Sequence, residues 1–122
     1  MAIVRIDFTK RQPTGFAQAV ASAVNMAMQN VLSVPAKENF VICQAHDEGM
    51  LLHDPENLTA DRLTGIVFVQ ITLNQGRSPE LKSAFFTALT HDICTATSVR
   101  PEDVYINLIE VARENWSFGS HC

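Results

Sequence analysis

The sequence predicts an α+β protein in which two βαβ units form one four-stranded sheet with two helices on one face. Three observations support this prediction. Short apolar runs with strand character alternate with two long amphipathic helical segments. The same pattern occurs twice, and residues 33–38 align with residues 98–103 between the two copies. The length of 122 residues and the mass of 13.5 kDa suit one domain. We therefore expect a single domain over residues 1–122, made of pseudo-repeats 1–57 and 58–122.

The first copy begins with a strand over residues 3–8, because apolar residues at positions 4, 6 and 8 alternate with Arg5 and Asp7. Residues 12–15 (Gln-Pro-Thr-Gly) break this strand. A helix of about five turns follows, and its apolar residues recur at helical spacing: Phe16, Val20, Ala23, Val24, Ala27 and Val31. Pro35 ends the helix, because proline cannot continue it. Residues 39–45 then form the second strand.

The second copy begins with the most strand-like run of the chain, residues 66–73. Residues 74–77 form a turn, Ser78 is a good N-cap, and Pro79 suits the first helical position. The buried stripe of this helix is predicted to be Leu81, Phe85, Ala88, Leu89 and Ile93. Residues 100–103 close the helix, and residues 104–111 form the fourth strand. The connector over residues 46–65 is too long to be structureless, so we expect a short extra strand at residues 50–53.

Two βαβ units with right-handed crossovers place both helices on one face of the sheet. The other face then carries one of two apolar sets, either Ile3, Phe68, Tyr105 and Ile109 or Val4, Val69, Ile106 and Leu108. Either set is too apolar to remain in water, and the sequence contains no third layer to cover it. We therefore expect this face to be buried by self-association.

Composition excludes several kinds of partner. The formal net charge is −4, which disfavours nucleic acid. No apolar run approaches the roughly 18 residues of a membrane span, and no signal-peptide segment follows Met1, so we expect a cytoplasmic protein. The three cysteines are widely spaced and odd in number, which predicts free thiols and neither disulfides nor a metal knuckle. Cys43 and Cys94 are expected to be small buried hydrophobes.

Several short motifs together resemble the tautomerase superfamily, and the most similar branch is that of the malonate semialdehyde decarboxylases. In chain order they are Ile6-Asp7, Val34-Pro35, Ala45-His46-Asp47, Gly76-Arg77-Ser78, Asp103-Val104 and Trp116-Ser117-Phe118-Gly119. The resemblance covers nearly the whole chain. It implies a fold like that of macrophage migration inhibitory factor, a homotrimer whose sheets face a common axis, and chemistry that needs no metal or organic cofactor.

The resemblance also implies a catalytic site. In the family the catalytic group is an amino-terminal proline, exposed when the initiator Met is removed, and the matching position here is Ala2. Removal of Met1 would leave a primary amine, whose ordinary pKa is about 7.7–8.0. Arg77 matches an arginine that binds a substrate carboxylate, a task that suits a guanidinium. Glu38 matches the carboxylate, usually Asp, that orients or activates water.

Three further positions match substrate contacts in the family. Asn74 falls near a second polar ligand, and Trp116 and Phe118 match the apolar wall of the pocket. The implied activity is tautomerisation, or decarboxylation and hydration, of an oxo-acid of three to six carbons. The alternative is a catalytically silent trimeric binding or scaffold protein that has lost the proline amine. The alternatives are a structural contact of Arg77 at its helix start, a solvated turn for Glu38, and trimer packing for the two aromatic residues.

Two His-Asp dipeptides, at residues 46–47 and 53–54, suggest a metal or an acid–base pair. Adjacent residues of a strand point to opposite faces, so neither dipeptide can chelate one ion well. His91 and Cys94 are spaced for one helix face, but no third group orients them as a catalytic pair. We expect no metal site.

Overall fold

The structure, a computed structural model, describes residues 1–52 and 65–119. In this part of the chain the order of elements is β1 (Ala2–Thr9), α1 (Phe16–Leu32), β2 (Asn39–His46), β3 (Val67–Asn74), α2 (Pro79–Ala96) and β4 (Val104–Val111). Short 3₁₀ helices precede β2 (Ala36–Glu38) and β4 (Pro101–Asp103), and a third follows β4 (Arg113–Asn115). The predicted repeat boundary lies outside the described residues.

The four strands form one mixed sheet in the order β2-β1-β3-β4. Strand β1 is parallel to β2, and β3 is parallel to β4, as two βαβ units require. The two units join through an antiparallel β1–β3 pair at the centre of the sheet. The predicted fold class is confirmed. The two aligned segments have equivalent places in the two units, since each contains the 3₁₀ helix that leads into the second strand.

Helices α1 and α2 pack on the same face of the sheet, where the core lies. The inward residues of β1 and β3 are almost fully enclosed, and so are the central residues of each helix stripe: Val4, Ile6, Val69, Ile71, Val20, Val24, Phe85, Leu89 and Ile93. Each large apolar side chain buried in this way contributes about 1.5–3 kcal/mol to folding. Leu81 was predicted to belong to the stripe of α2, but it is exposed. It lies in the first turn, so the buried stripe begins one turn later.

No described residue covers the face of the sheet opposite the helices. Of the two alternatives, the structure selects the set containing Ile3, Phe68, Tyr105 and Ile109. Phe68 and Tyr105 contact each other with ring centroids 5.5 Å apart. Phe40 and Ile42 of the edge strand β2 extend this apolar face and are exposed. None of the helices in the described ranges is long and apolar enough to span a membrane.

Ser78 caps α2 as predicted, because its Oγ accepts a hydrogen bond from the Leu81 N–H at 3.1 Å. The helix ends at Ala96, earlier than expected, and residues 101–103 form the separate 3₁₀ helix. Both expected burials of cysteine are wrong. Cys43 is exposed because β2 is an edge strand, and Cys94 is only partly buried.

The short extra strand is not found at residues 50–52, and His53 lies outside the described residues. Residues 47–50 form a turn, which ends the extended conformation there. The Met50 N–H donates to the Asp47 carbonyl at 3.1 Å, and Gly49 has a φ of 84°, a left-handed conformation that glycine adopts at little cost.

Candidate active site

The sheet topology collects the predicted site residues at one edge. Parallel pairing sets Ala2 opposite Asn39, so the chain start lies beside Glu38. Antiparallel pairing sets Ala2 opposite Leu73, so the end of β3 reaches the same edge. Because β4 runs parallel to β3, the segment after Val111 also begins there. Positions that are distant in sequence therefore meet where β1 begins.

The amino terminus contacts Glu38. The Met1 ammonium nitrogen lies 3.4 Å from Glu38 Oε2, and the Glu38 side chain is about half exposed at 48%. The 3₁₀ helix fixes the backbone at Glu38, since the Glu38 N–H donates to the Pro35 carbonyl at 3.0 Å. Ala2 itself is fully buried beneath Met1. A carboxylate at this distance from the terminal amine is within reach for proton transfer.

An apolar cavity of about 280 Å³ adjoins the amino terminus. Its lining residues are Met1, Ile3, Phe40, Trp116, Ser117 and Phe118. The rings of Trp116 and Phe118 stack with their planes 14° apart and their centroids at 6.1 Å. Ile3 and Phe40 also belong to the uncovered face of the sheet, so the cavity and that face share residues. Charges act more strongly in such an apolar environment than in water.

Asn74 is tied to the wall of this cavity. The Trp116 indole Nε1–H donates to Asn74 Oδ1 at 2.7 Å. Both side chains are partly buried. The bond joins the end of β3 to the segment after β4, and it brings two predicted substrate contacts into one unit.

Arg77 does not line the cavity, but it is connected to it through the turn after β3. Its Nη1 donates to the Asn74 carbonyl at 3.0 Å, and its Nη2 donates to the Leu32 carbonyl at 3.3 Å. Leu32 ends α1, where unpaired carbonyls concentrate negative charge. This contact explains why a cation sits just before α2. The remaining Arg77 N–H groups have no hydrogen-bond partner among residues 1–52 and 65–119.

Glu110 and Lys82 form an ion pair beside Arg77 that the sequence did not predict. The Lys82 hydrogen bond and charge hold the pKa of the Glu110 carboxyl below its ordinary value, with smaller contributions from the Gly76 backbone N–H and from Arg77. Glu110 therefore stays ionised at neutral pH and places a negative charge near Arg77. Its place in β4 carries no motif, and only the three-dimensional approach of α2 identifies it.

His46 and Asp47, the first His-Asp dipeptide, have different partners. His46 Nε2 lies 2.7 Å from Asp7 Oδ1, on the neighbouring strand β1. Asp47 instead pairs with Lys10 at 2.7 Å, which lowers the pKa of the Asp47 carboxyl. Among the residues that the structure describes, no three His, Cys, Asp or Glu side chains are grouped to hold a metal.

A second cavity, of about 390 Å³, lies at the opposite edge of the sheet, next to the turn after β1 and the 3₁₀ helix before β4. The two arginine side chains that line this cavity each pair with a carboxylate. Arg11 contacts Glu48, and Arg100 Nε donates to Asp103 Oδ2 at 3.1 Å. The charges at this edge are thus compensated within the chain. The edge that carries the amino terminus is the better candidate for a site that binds an anion.

The chain is similar to known proteins both in sequence and in fold. A sequence profile of the tautomerase enzyme family matches residues 38–119. The probable tautomerase YusQ of Bacillus subtilis (strain 168) is 27% identical over 120 residues, covering 98% of this chain and 94% of that protein. The FG41 malonate semialdehyde decarboxylase, whose structure was solved inhibited by 3-bromopropiolate, is 32% identical with a TM-score of 0.84, covering 96% of this chain and 88% of that one. A fused 4-OT wild-type symmetric trimer shares the fold at 16% identity, with a TM-score of 0.80 and coverage of 98% and 94%.

Proposed function

The chain belongs to the tautomerase superfamily, in its malonate semialdehyde decarboxylase-like branch, and from this premise we propose that it acts on a small oxo-acid at the edge where β1 begins. The reaction is keto–enol tautomerisation, or decarboxylation and hydration, of a carboxylate of three to six carbons. The observation that carries this proposal is that a terminal amine, the Glu38 carboxylate and an apolar cavity lie together where β1 begins. Arg77 is connected to this place through its hydrogen bond to the Asn74 carbonyl.

Each residue has a role in this proposal that its chemistry suits. Arg77 binds the substrate carboxylate through the N–H groups that the backbone carbonyls do not use. The terminal amine moves a proton between the oxygen and the carbon of the enol. Glu38 lies close enough to exchange a proton with that amine or to position water. Trp116 and Phe118 keep the uncharged part of the substrate in an apolar environment.

The amine that this reaction needs is that of Ala2. With Met1 present, the Met1 residue lines the cavity and its ammonium is held near Glu38. Removal of Met1 would enlarge the cavity and place a primary amine at the first residue of β1. The ordinary pKa of such an amine is about 7.7–8.0, so part of the population is neutral and able to accept a proton near neutral pH.

We propose that the chain assembles as a homotrimer through the uncovered face of the sheet. Ile3 and Phe40 contribute to both this face and the cavity, so a neighbouring chain on the face would also help to enclose the site. The fused 4-OT structure with the same fold is a symmetric trimer, which supports this assembly. Heterologous contacts that close a ring give such a trimer.

The experiment combines mass spectrometry with proton NMR. Intact mass first establishes whether Met1 has been removed. The processed protein is then incubated in D₂O with 2-oxo and 3-oxo acids of three to six carbons. Tautomerisation is seen as exchange of the protons next to the carbonyl, and decarboxylation as loss of the substrate signals with formation of a shorter aldehyde or ketone. Processed protein that accelerates neither process for any acid would contradict the enzymatic proposal.

The second candidate function is a silent binding or scaffold protein. The observations that favour it are Ala2 in place of the family's proline and the ammonium of Met1 paired with Glu38. It predicts that Met1 is retained and that oxo-acids bind without turnover.

A further inference from the structure

The hydrogen bond between Trp116 and Asn74 restricts the chemistry that Asn74 can offer a ligand. An indole N–H can only donate, so the group facing it must be the amide oxygen of Asn74. At 2.7 Å this bond fixes which end of the amide faces the tryptophan. The Asn74 NH₂ group is therefore turned away from Trp116.

That NH₂ group is free to bind. It makes no hydrogen bond to any residue in the described ranges, and it is not among the buried polar atoms that lack a partner, so it is not sealed inside the protein. The backbone carbonyl of the same residue is occupied by Arg77 Nη1 at 3.0 Å. The indole and the guanidinium each donate one hydrogen bond to an oxygen of Asn74, so the polar group of this residue left without a partner among the described residues is the NH₂ donor.

We propose that Trp116 is a positioning residue, which acts through Asn74 so that Asn74 presents the N–H donors of its amide to a substrate carboxylate or carbonyl oxygen. The inference rests on the proposed function and deepens it, since it gives Trp116 a polar role besides its place in the apolar wall. If the amide could flip, the alternative orientation would aim a partial negative charge at an anion.

Two independent measurements test the inference. Trp116 is the only tryptophan of the chain, so its indole N–H gives a single resonance in a ¹H–¹⁵N spectrum. In Asn74→Ala this resonance is expected to move upfield and to exchange faster with water, because the bond is lost. An unchanged resonance would overturn the inference without any reference to a ligand.

The second measurement is a double-mutant cycle on the binding of 2-oxohexanoate, followed by calorimetry. Trp116→Phe keeps an aromatic ring beside Phe118 but removes the indole N–H, and is expected to weaken binding by about three- to tenfold. In the Asn74→Ala background the same change is expected to alter binding by less than about twofold, since no amide remains to orient. Equal losses in both backgrounds would show that Trp116 acts only as an apolar wall, and would overturn the inference.

Asn74→Asp provides a matched variant. Its carboxylate still accepts from the Trp116 indole, but it presents a charged oxygen where the NH₂ was, so binding of 2-oxohexanoate is expected to fall by at least about tenfold. Binding by this variant at the wild-type affinity would contradict the requirement for a donor. If the wild-type protein does not bind 2-oxohexanoate, the proposed function fails for this acid, while the indole resonance still decides whether Trp116 orients Asn74.

Discussion

Arg77→Ala separates the structural contact of Arg77 from its proposed binding role. In the folded protein the guanidinium donates to two backbone carbonyls, at 3.0 Å and 3.3 Å, and one of these ends α1. A hydrogen bond from a charged group contributes about 1.5–3 kcal/mol, and less where solvent competes for a partly exposed side chain. Loss of both bonds is expected to lower the free energy of unfolding by about 2 kcal/mol. Urea denaturation at a fixed protein concentration measures this loss.

The binding effect of the same variant is measured with 2-oxohexanoate. A charge-assisted contact to a carboxylate contributes about 2–3 kcal/mol, so the dissociation constant is expected to rise by about 30- to 150-fold. Arg77→Lys keeps the charge but not the planar pair of donors, and should bind with an intermediate affinity. Arg113→Ala is the matched control, because Arg113 is exposed, follows β4 at the same edge and changes the net charge equally.

Different outcomes in the stability and binding assays would contradict the binding role of Arg77. If Arg77→Ala is less stable but binds 2-oxohexanoate as tightly as the wild type, Arg77 serves only the end of α1 and the turn after β3. If Arg113→Ala weakens binding equally, the effect is one of net charge.

Three further predictions follow from the fold and the charges. Ala2→Pro should raise tautomerase activity toward phenylenolpyruvate by at least about tenfold, which corresponds to about 1.4 kcal/mol of transition-state stabilisation. N-terminal sequencing of both proteins checks that Met1 has been removed. A processed, trimeric Ala2→Pro protein with no gain in activity would show that the pocket has diverged. Light scattering should give a mass of about 40 kDa, which is that of three chains of 13.5 kDa. Tyr105→Asp places a charge on the uncovered face and should dissociate this trimer. A wild-type monomer at micromolar concentration would contradict the trimer. The pKa of the Glu110 carboxyl is lower in the folded than in the unfolded protein. Its contribution to stability is therefore present above the unfolded-state pKa and is lost as pH falls through the folded-state pKa. Glu110→Gln should flatten the decline in stability below about pH 5, and an unchanged slope would contradict this prediction.

Periodicity was sufficient to predict the architecture from the sequence. The strand over residues 104–111 and the start of α1 at Phe16 were predicted at the observed positions, and β1 is one residue longer at each end than expected. Alternation with a period of two fixes which residues share a face, so the uncovered apolar set was one of only two alternatives. Sequence could not decide between the two, because that requires knowing which face the helices cover.

The site residues were proposed from the resemblance to a family, whereas the contacts between them could not be predicted from the sequence. The bond from Trp116 to Asn74 and the pair of Lys82 with Glu110 join residues far apart in sequence, and no local pattern encodes such a pairing. Arg77 illustrates the same limit. A structural contact at the helix start was one alternative for Arg77, but its partner, the Leu32 carbonyl, could not be named before the end of α1 was located. Cys43 was misjudged because apolar neighbours in a strand do not reveal that the strand is at an edge.

The most direct test of a carboxylate-binding site built around the terminal amine is covalent labelling with 3-bromopropiolate, the inhibitor of the related decarboxylase. Peptide mapping of the labelled, processed protein should find the adduct on Ala2, and both Arg77→Ala and excess 2-oxohexanoate should slow its formation. Cys43 is an internal control, because desolvation and then the Asp7 carboxylate raise the pKa of its thiol and so reduce its reactivity near neutral pH. Labelling confined to Cys43, or labelling of Ala2 at a rate that neither Arg77→Ala nor the oxo-acid changes, would contradict the account.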